Sequence, residues 1–219
     1  MPPRILRPSL TAPRVDETSH CPTCGAPFRI KNRFVKAVTC EFCGHVALYD
    51  GVRLDPTGRT ASLSQIPSPL YLDATGRLGS EDFRVLGRLV YEYAGGVWQE
   101  WFLALDGDGR AWLEEDEGQF TLLEKQPLTG APPFESVRVG ERLRLAGRDV
   151  TVNEVGEATI VSAEGQFGTE ILPGEAVGYV DAATDGEEVG LEYGEREVEL
   201  FVGRPVPREA LSVDPDPFA

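Results

Sequence analysis

The chain has 219 residues, of which 41% are hydrophobic, and a formal net charge of −15. That length accommodates one or two domains, and the hydrophobic share supports a packed core, while no apolar run approaches the ~20 residues of a membrane-spanning helix. Charge is divided unevenly: residues 1–53 carry eight Lys/Arg against four Asp/Glu, and residues 54–219 carry thirteen against thirty-two. An acidic body of this kind repels nucleic acid and anionic lipid. It is read as a solvated surface or as one that draws a basic partner.

Residues 1–19 hold four prolines without periodicity and are expected to be a flexible leader. They lack the apolar stretch of a secretory signal, so the expected compartment is the cytoplasm, where thiols stay reduced. All four cysteines follow within residues 20–53: Cys21 and Cys24, then Cys40 and Cys43, each pair followed by glycine. Two C-x-x-C pairs at this separation fit a tetrahedral four-thiolate site, so a zinc ribbon with one structural zinc ion is expected. His45 is read as a neighbour of that site and not as a ligand. The fragments Phe28–Ile30 and Phe34–Val38 are read as short strands. Residues 54–69, rich in Pro, Ser, Thr and Gly, are expected to be a linker that separates the ribbon's core from the rest.

From residue 70 the pattern is alternating and glycine-punctuated, with no sustained helical period. Strands are expected over 83–93, 97–105, 111–113 and 119–124. After a proline-rich joint, further strands are expected over 142–146, 149–154, 157–163, 176–181, 188–193 and 196–201. The fold class is therefore mostly β with little helix: the ribbon plus one or two small barrel or SH3-like units over 70–207. Two halves, 70–126 and 134–207, are one way to divide this region. Glu117-Gly-Gln-Phe120 recurs as Glu164-Gly-Gln-Phe167, through duplication of a half-barrel or chance recurrence of a turn. Residues 208–219 are expected to be a flexible tail.

The β region contains neither His nor Cys, which excludes Ser-His-Asp and Cys-His catalysis there. Glu100 is the acid of interest. On a strand it shares a face with Trp98 and Phe102, while Trp101 points the other way. Two readings of it stay open: a structural acid paired with an arginine such as Arg88, or a desolvated acid that meets a ligand or substrate. Asp106-Gly-Asp-Gly109 departs from a calcium loop at Arg110 and is read as a hairpin turn. The acidic run Glu114–Glu117 is read as a solvated turn.

Phe83, Val85, Gly87, Arg88 and Tyr91, then Trp98, Glu100 and Trp101, then Gly109, Trp112 and Leu113, together with Ala158 to Phe167, resemble the bacterial family called domain of unknown function 4178. The resemblance spans about residues 20–205 and implies architecture, not activity. The leading functional expectation is a non-enzymatic interaction or adaptor protein that contacts another protein through the ribbon and an aromatic β surface formed by Arg88, Trp98, Glu100 and Trp112. The alternative is a small-ligand-binding protein or enzyme that uses Glu100 with Trp98 and Trp112. Nucleic-acid contact through the +4 ribbon is the third reading, opposed by the −19 body.

Overall fold

Alternation of apolar and polar residues, broken by glycine turns, makes almost every element a strand. The structure, a computed structural model, describes residues 17–184 and 186–215. The expected leader up to residue 16 and the last four residues of the expected tail lie outside the described residues. An N-terminal module comes first. Its β1 (Glu17–His20) pairs with β2 (Pro27–Ile30), and β3 (Ala37–Thr39), β4 (His45–Tyr49) and β5 (Leu54–Thr60) form an antiparallel ladder. Strand β5 corrects the expected linker. Its turn-rich composition is compatible with a strand because β5 is the outermost one, where Pro56 has no ladder partner to lose on its free side.

The body contains β6 (Thr75–Leu78), β7 (Glu81–Tyr93), β8 (Gly96–Leu105), β9 (Arg110–Asp116), β10 (Gln119–Gln126), β11 (Arg142–Leu145), β12 (Arg148–Phe167), β13 (Ala176–Thr184), β14 (Glu187–Tyr193), β15 (Val198–Val206) and β16 (Leu211–Val213). Single 3-10 turns at Phe134–Ser136 and Arg208–Ala210 are the helical content of the described residues. Strand β16 pairs with β6, so the expected tail is in part a strand. Among the described residues no helix is long and apolar enough to cross a membrane.

Eight strands close one barrel. The meander β7–β10 and the meander β12–β15 meet at two seams, β10 with β15 and β12 with β7, all antiparallel. The two expected halves are thus two walls of one barrel. The Glu-Gly-Gln-Phe echo occupies unlike places, the β9–β10 turn and the end of β12, so it does not mark equivalent positions in the two meanders. Strand β12 joins what the sequence divides into two strands. It pairs first with β13, then with β7 and finally with β3, with bulges at Val152/Glu154 and Ile160/Ser162.

Much of the apolar core lies outside the barrel wall. One cluster, around Phe83, Val85, Trp101, Leu103 and Leu113, is covered by residues 70–78 and by β16. Another, around Val150, Val180, Leu191 and Val202, lies beneath Val137 and Leu145 of the 127–147 segment. The third includes Leu89, Tyr91, Phe102, Ile160 and Phe167 and extends to Ala37 of the module. Phe34 of the module meets Phe102 edge-on at 5.7 Å. The Gln166 side chain receives a hydrogen bond from Lys31 N at 2.9 Å and donates to Arg29 O at 2.6 Å. The module keeps a cluster of its own around Phe28, Ile30, Val35 and Tyr49, but the expectation of fully separate cores is corrected, since Ala37 and Phe34 join it to the barrel core.

Candidate functional site

The module brings its four cysteines together. Gly25 and Gly44 adopt positive φ of 76° and 70°, which closes each C-x-x-C turn. The amides of Gly25 and Gly44 then bond to the carbonyls of Cys21 and Cys40 at 2.9 and 2.8 Å. Cys21 Sγ lies 3.7 Å from Cys43 Sγ, Cys24 Sγ lies 3.7 Å from Cys40 Sγ, and all four sulfurs are within 4.8 Å of one another. These separations exclude disulfides, whose sulfurs are ~2.05 Å apart. They match the edge of a thiolate tetrahedron around a metal ion. His45 is not among the converging groups.

The barrel encloses a lumen with two connected chambers. The larger is about 990 Å³ and the smaller about 330 Å³, and Glu100, Leu123, Glu192 and Phe201 line both. Alternation on each strand decides what enters. The registers set Glu100 opposite Glu114, Phe102 opposite Trp112, and Glu192 opposite both Tyr179 and Glu199. Tyr91 stacks on Trp98 at 4.8 Å with ring planes 8° apart, and Tyr179 meets Trp98 edge-on at 5.5 Å. Aromatic and acidic side chains thus alternate around the lumen: Trp98 and Glu100 share β8, Trp112 and Glu114 share β9, and Tyr179 and Asp181 share β13. The smaller chamber is lined by seven carboxylates, from Glu100, Glu114, Asp116, Glu154, Asp181, Glu188 and Glu192, and by no Lys, Arg or His. The larger chamber mixes acids with Lys36, Arg110, Lys125 and Arg196.

Glu100 is 5% exposed. The indole N–H of Trp98 donates to its Oε1 at 3.1 Å, and no cationic side chain pairs with it among the described residues. Burial, reinforced by the charges of Glu192 and Glu114, holds its pKa well above the carboxylate range. Burial raises Glu114 and Glu192 to about 8 and Asp181 to about 6, with like-charged neighbours adding to each.

Arg88 lies elsewhere. Leu89 stands opposite Glu100 and Arg88 opposite Trp101, so the guanidinium points to the outer face. There it donates from Nε to Gln99 Oε1 at 2.8 Å and from a terminal nitrogen to Ile66 O at 2.6 Å, and it covers the Trp101 ring at 4.8 Å. The Arg88–Glu100 pair is corrected by the register between β7 and β8. Glu115 completes the outer network. It accepts from Trp101 Nε1 at 2.9 Å, Ser68 Oγ at 2.7 Å and Gln99 Nε2 at 3.3 Å.

The structure therefore brings Trp98, Glu100 and Trp112 to the lumen and leaves Arg88 outside it. Sequence reasoning missed Glu114, Asp181 and Glu192. The run Glu114–Glu117, read as a solvated turn, alternates between lumen and outer face until the turn at Glu117. The available signal was the placement of Glu188 and Glu192 four residues apart, which sets both on one face of β14. The family described as Domain of unknown function (DUF4178) matches residues 72–208, which include every barrel strand and exclude the cysteines. No curated protein and no solved structure matches the chain.

Proposed function

The chain belongs to the DUF4178 family, and from its lumen we propose that it is a small-ligand-binding protein in which Glu100, Trp98 and Trp112 meet a ligand bearing positive charge. The observation that carries this reading is Glu100, a carboxylate buried against aromatics, facing a cavity and lacking a cationic partner. Such a group is costly when ionised and alone, and a bound cation removes that cost. An eight-stranded barrel is also wide enough to hold one small ligand, and aromatic faces attract cations. Binding is preferred to catalysis because no His or Cys lines either chamber. The adaptor reading retains exposed apolar side chains, among them Phe42, Val52 and Leu63. Scattered exposed apolar side chains are ordinary on protein surfaces, so the lumen reading leads.

The four cysteines hold one zinc ion in this proposal. A tetrahedron of thiolates ~2.3 Å from zinc has edges of ~3.8 Å, close to the 3.7 Å separations within the two pairs. The metal stabilises the module and, through the shared core, the rim of the larger chamber. Elemental analysis should find one zinc per chain. Cys40→Ser should lose it and lower the melting temperature of the whole chain, and a metal-free wild type prepared without chelator would remove the zinc reading. The ligand reading is tested with n-butylammonium. Tryptophan emission of the full chain should change saturably, and the response should shrink in Glu100→Gln and Trp98→Phe. A flat response in the wild type counts against it.

A further inference from the structure

The acids of the lumen are spread along it. Among the described residues, the four cysteines are the one group of three or more His, Cys, Asp or Glu whose ligand atoms converge closely enough for a metal ion. A calcium or magnesium ion needs several oxygens at one point, and this lumen does not supply them. Its charge is distributed instead. Glu100 and Glu192 stand on the belt between the chambers, and five further carboxylates line the smaller chamber. Aromatic side chains lie between the acids, Trp98 beside Glu100 on β8 and Tyr179 beside Asp181 on β13. Two buried polar groups also lack partners within the fold. The hydroxyl of Tyr91, which is 4% exposed and lines the larger chamber, makes no hydrogen bond to a described residue, and neither does Glu100 Oε2.

A ligand matching this interleaved lining has several positive charges separated by apolar spacers. We infer that the lumen takes a linear polyamine, a chain of methylenes carrying two or more ammonium groups. This rests on the reading of the lumen as a cation-binding site and names its ligand class. Ammonium groups meet the separated carboxylates, and the methylenes lie along Trp98, Tyr91 and Leu123. The smaller chamber, free of Lys and Arg, takes the greater share of the ligand's charge. The belt of Glu100 and Glu192 lets one chain extend from that chamber into the larger one. The raised carboxylate pKa values fit this account, since a polycation arriving at neutral pH displaces protons from the acids.

Gly190 supplies an independent test. It lines the smaller chamber, its φ lies outside the left-handed region, and the nearest atom to an added Cβ is Asp181 Oδ1 at 3.9 Å. Neither backbone nor neighbours demand glycine there, and its missing side chain keeps the chamber open. Gly190→Val should occupy the space while favouring the strand.

The experiment is calorimetric titration of the full chain at pH 7.5 and ~0.15 M salt with spermidine, butane-1,4-diamine, n-butylamine and magnesium chloride. Affinity should rise about tenfold with each added ammonium group, and magnesium at equal concentration should not displace spermidine. Glu192→Gln should weaken spermidine about tenfold, and Gly190→Val should abolish its binding with the melting temperature held or raised. Butylamine binding as tightly as spermidine overturns the polyamine class and leaves the lumen reading intact. Magnesium displacing spermidine overturns it in favour of a metal ion. Spermidine binding untouched by either substitution places it on the acidic exterior and overturns the inference. If none of the four binds, the inference and the lumen reading fail together.

Discussion

Glu100 and Glu115 sit on neighbouring strands, are each 5% exposed and face opposite sides of the barrel wall. Outside, Glu115 receives three side-chain donors and lies near Arg88. Inside, Glu100 receives one donor and is surrounded by other acids. Equal burial thus gives a satisfied network on one face and, on the other, an acid that burial keeps from ionising. The difference shows where folding energy is gathered. Two of the three barrel clusters lie outside the wall, under the covering segments. The inner face is partly released from the work of a core and can be charged.

Substitutions on both faces and a change of pH probe this contrast. Trp101→Ala should have the largest effect, ~3–5 kcal/mol by chemical denaturation, because the ring is 1% exposed and anchors the outer cluster. Glu115→Ala comes next. It leaves the Trp101 indole, Ser68 and Gln99 without their acceptor and should cost ~3 kcal/mol. Glu100→Gln is its counterpart. By thermal unfolding without ligand at neutral pH it should be neutral or stabilising, since burial already disfavours the ionised form and no cation is left unpaired by the amide. A loss matching that of Glu115→Ala would erase the distinction between the faces.

The dependence on pH sharpens the same point. Unfolded Glu ionises near ~4.3 and unfolded Asp near ~3.9. In the barrel, Glu114 and Glu192 remain protonated up to about 8 and Asp181 up to about 6. Folded values above unfolded ones mean that this stabilisation is complete at low pH and is lost as pH rises through the folded values. Burial is the first cause. Glu199, Glu188, Asp116 and Glu154 add repulsion from their strands, and Lys125 opposes it at Glu192. The melting temperature of the ligand-free chain should therefore fall between pH 5 and 8.5. Glu114→Gln with Glu192→Gln should flatten the fall, and a rise over that range would contradict the shifts. Gly190→Ala should give the smallest change, a gain of ~0.5–1 kcal/mol measured by denaturation, as chain entropy is removed without strain.

Much of this molecule was legible in its residues. Alternation over 83–93 and 97–105 marks β7 and β8, and the C-x-x-C-Gly spacing marks the cysteine cluster. Parity along one strand is enough to set Trp98, Glu100 and Phe102 on a common face. What parity cannot supply is the partner strand's register, and register alone moves Arg88 away from Glu100. The acids of β14 and β15 were hidden for a related reason. Acids on one strand face, such as Glu188 and Glu192, have the same spacing whether that face meets bulk water or a lumen, and only closure between β10 and β15 distinguishes the two. Strand β5 was masked by its composition, because Pro and Gly suit an edge strand as well as a linker.

Strand β12 also has a consequence for the order of folding. Its last residues pair with Ala37 and Val38, its middle with β7, and its first half with β13, which follows it. On the ribosome the module and the first meander emerge well before this strand, and neither can complete its ladder until it arrives. Contacts so distant in sequence slow folding. The nascent chain therefore passes through a stage with the pairing edges of β3 and β7 bare, the state in which open strands join the wrong partners. Metal captured early by the cysteines would hold β3 ready during that wait.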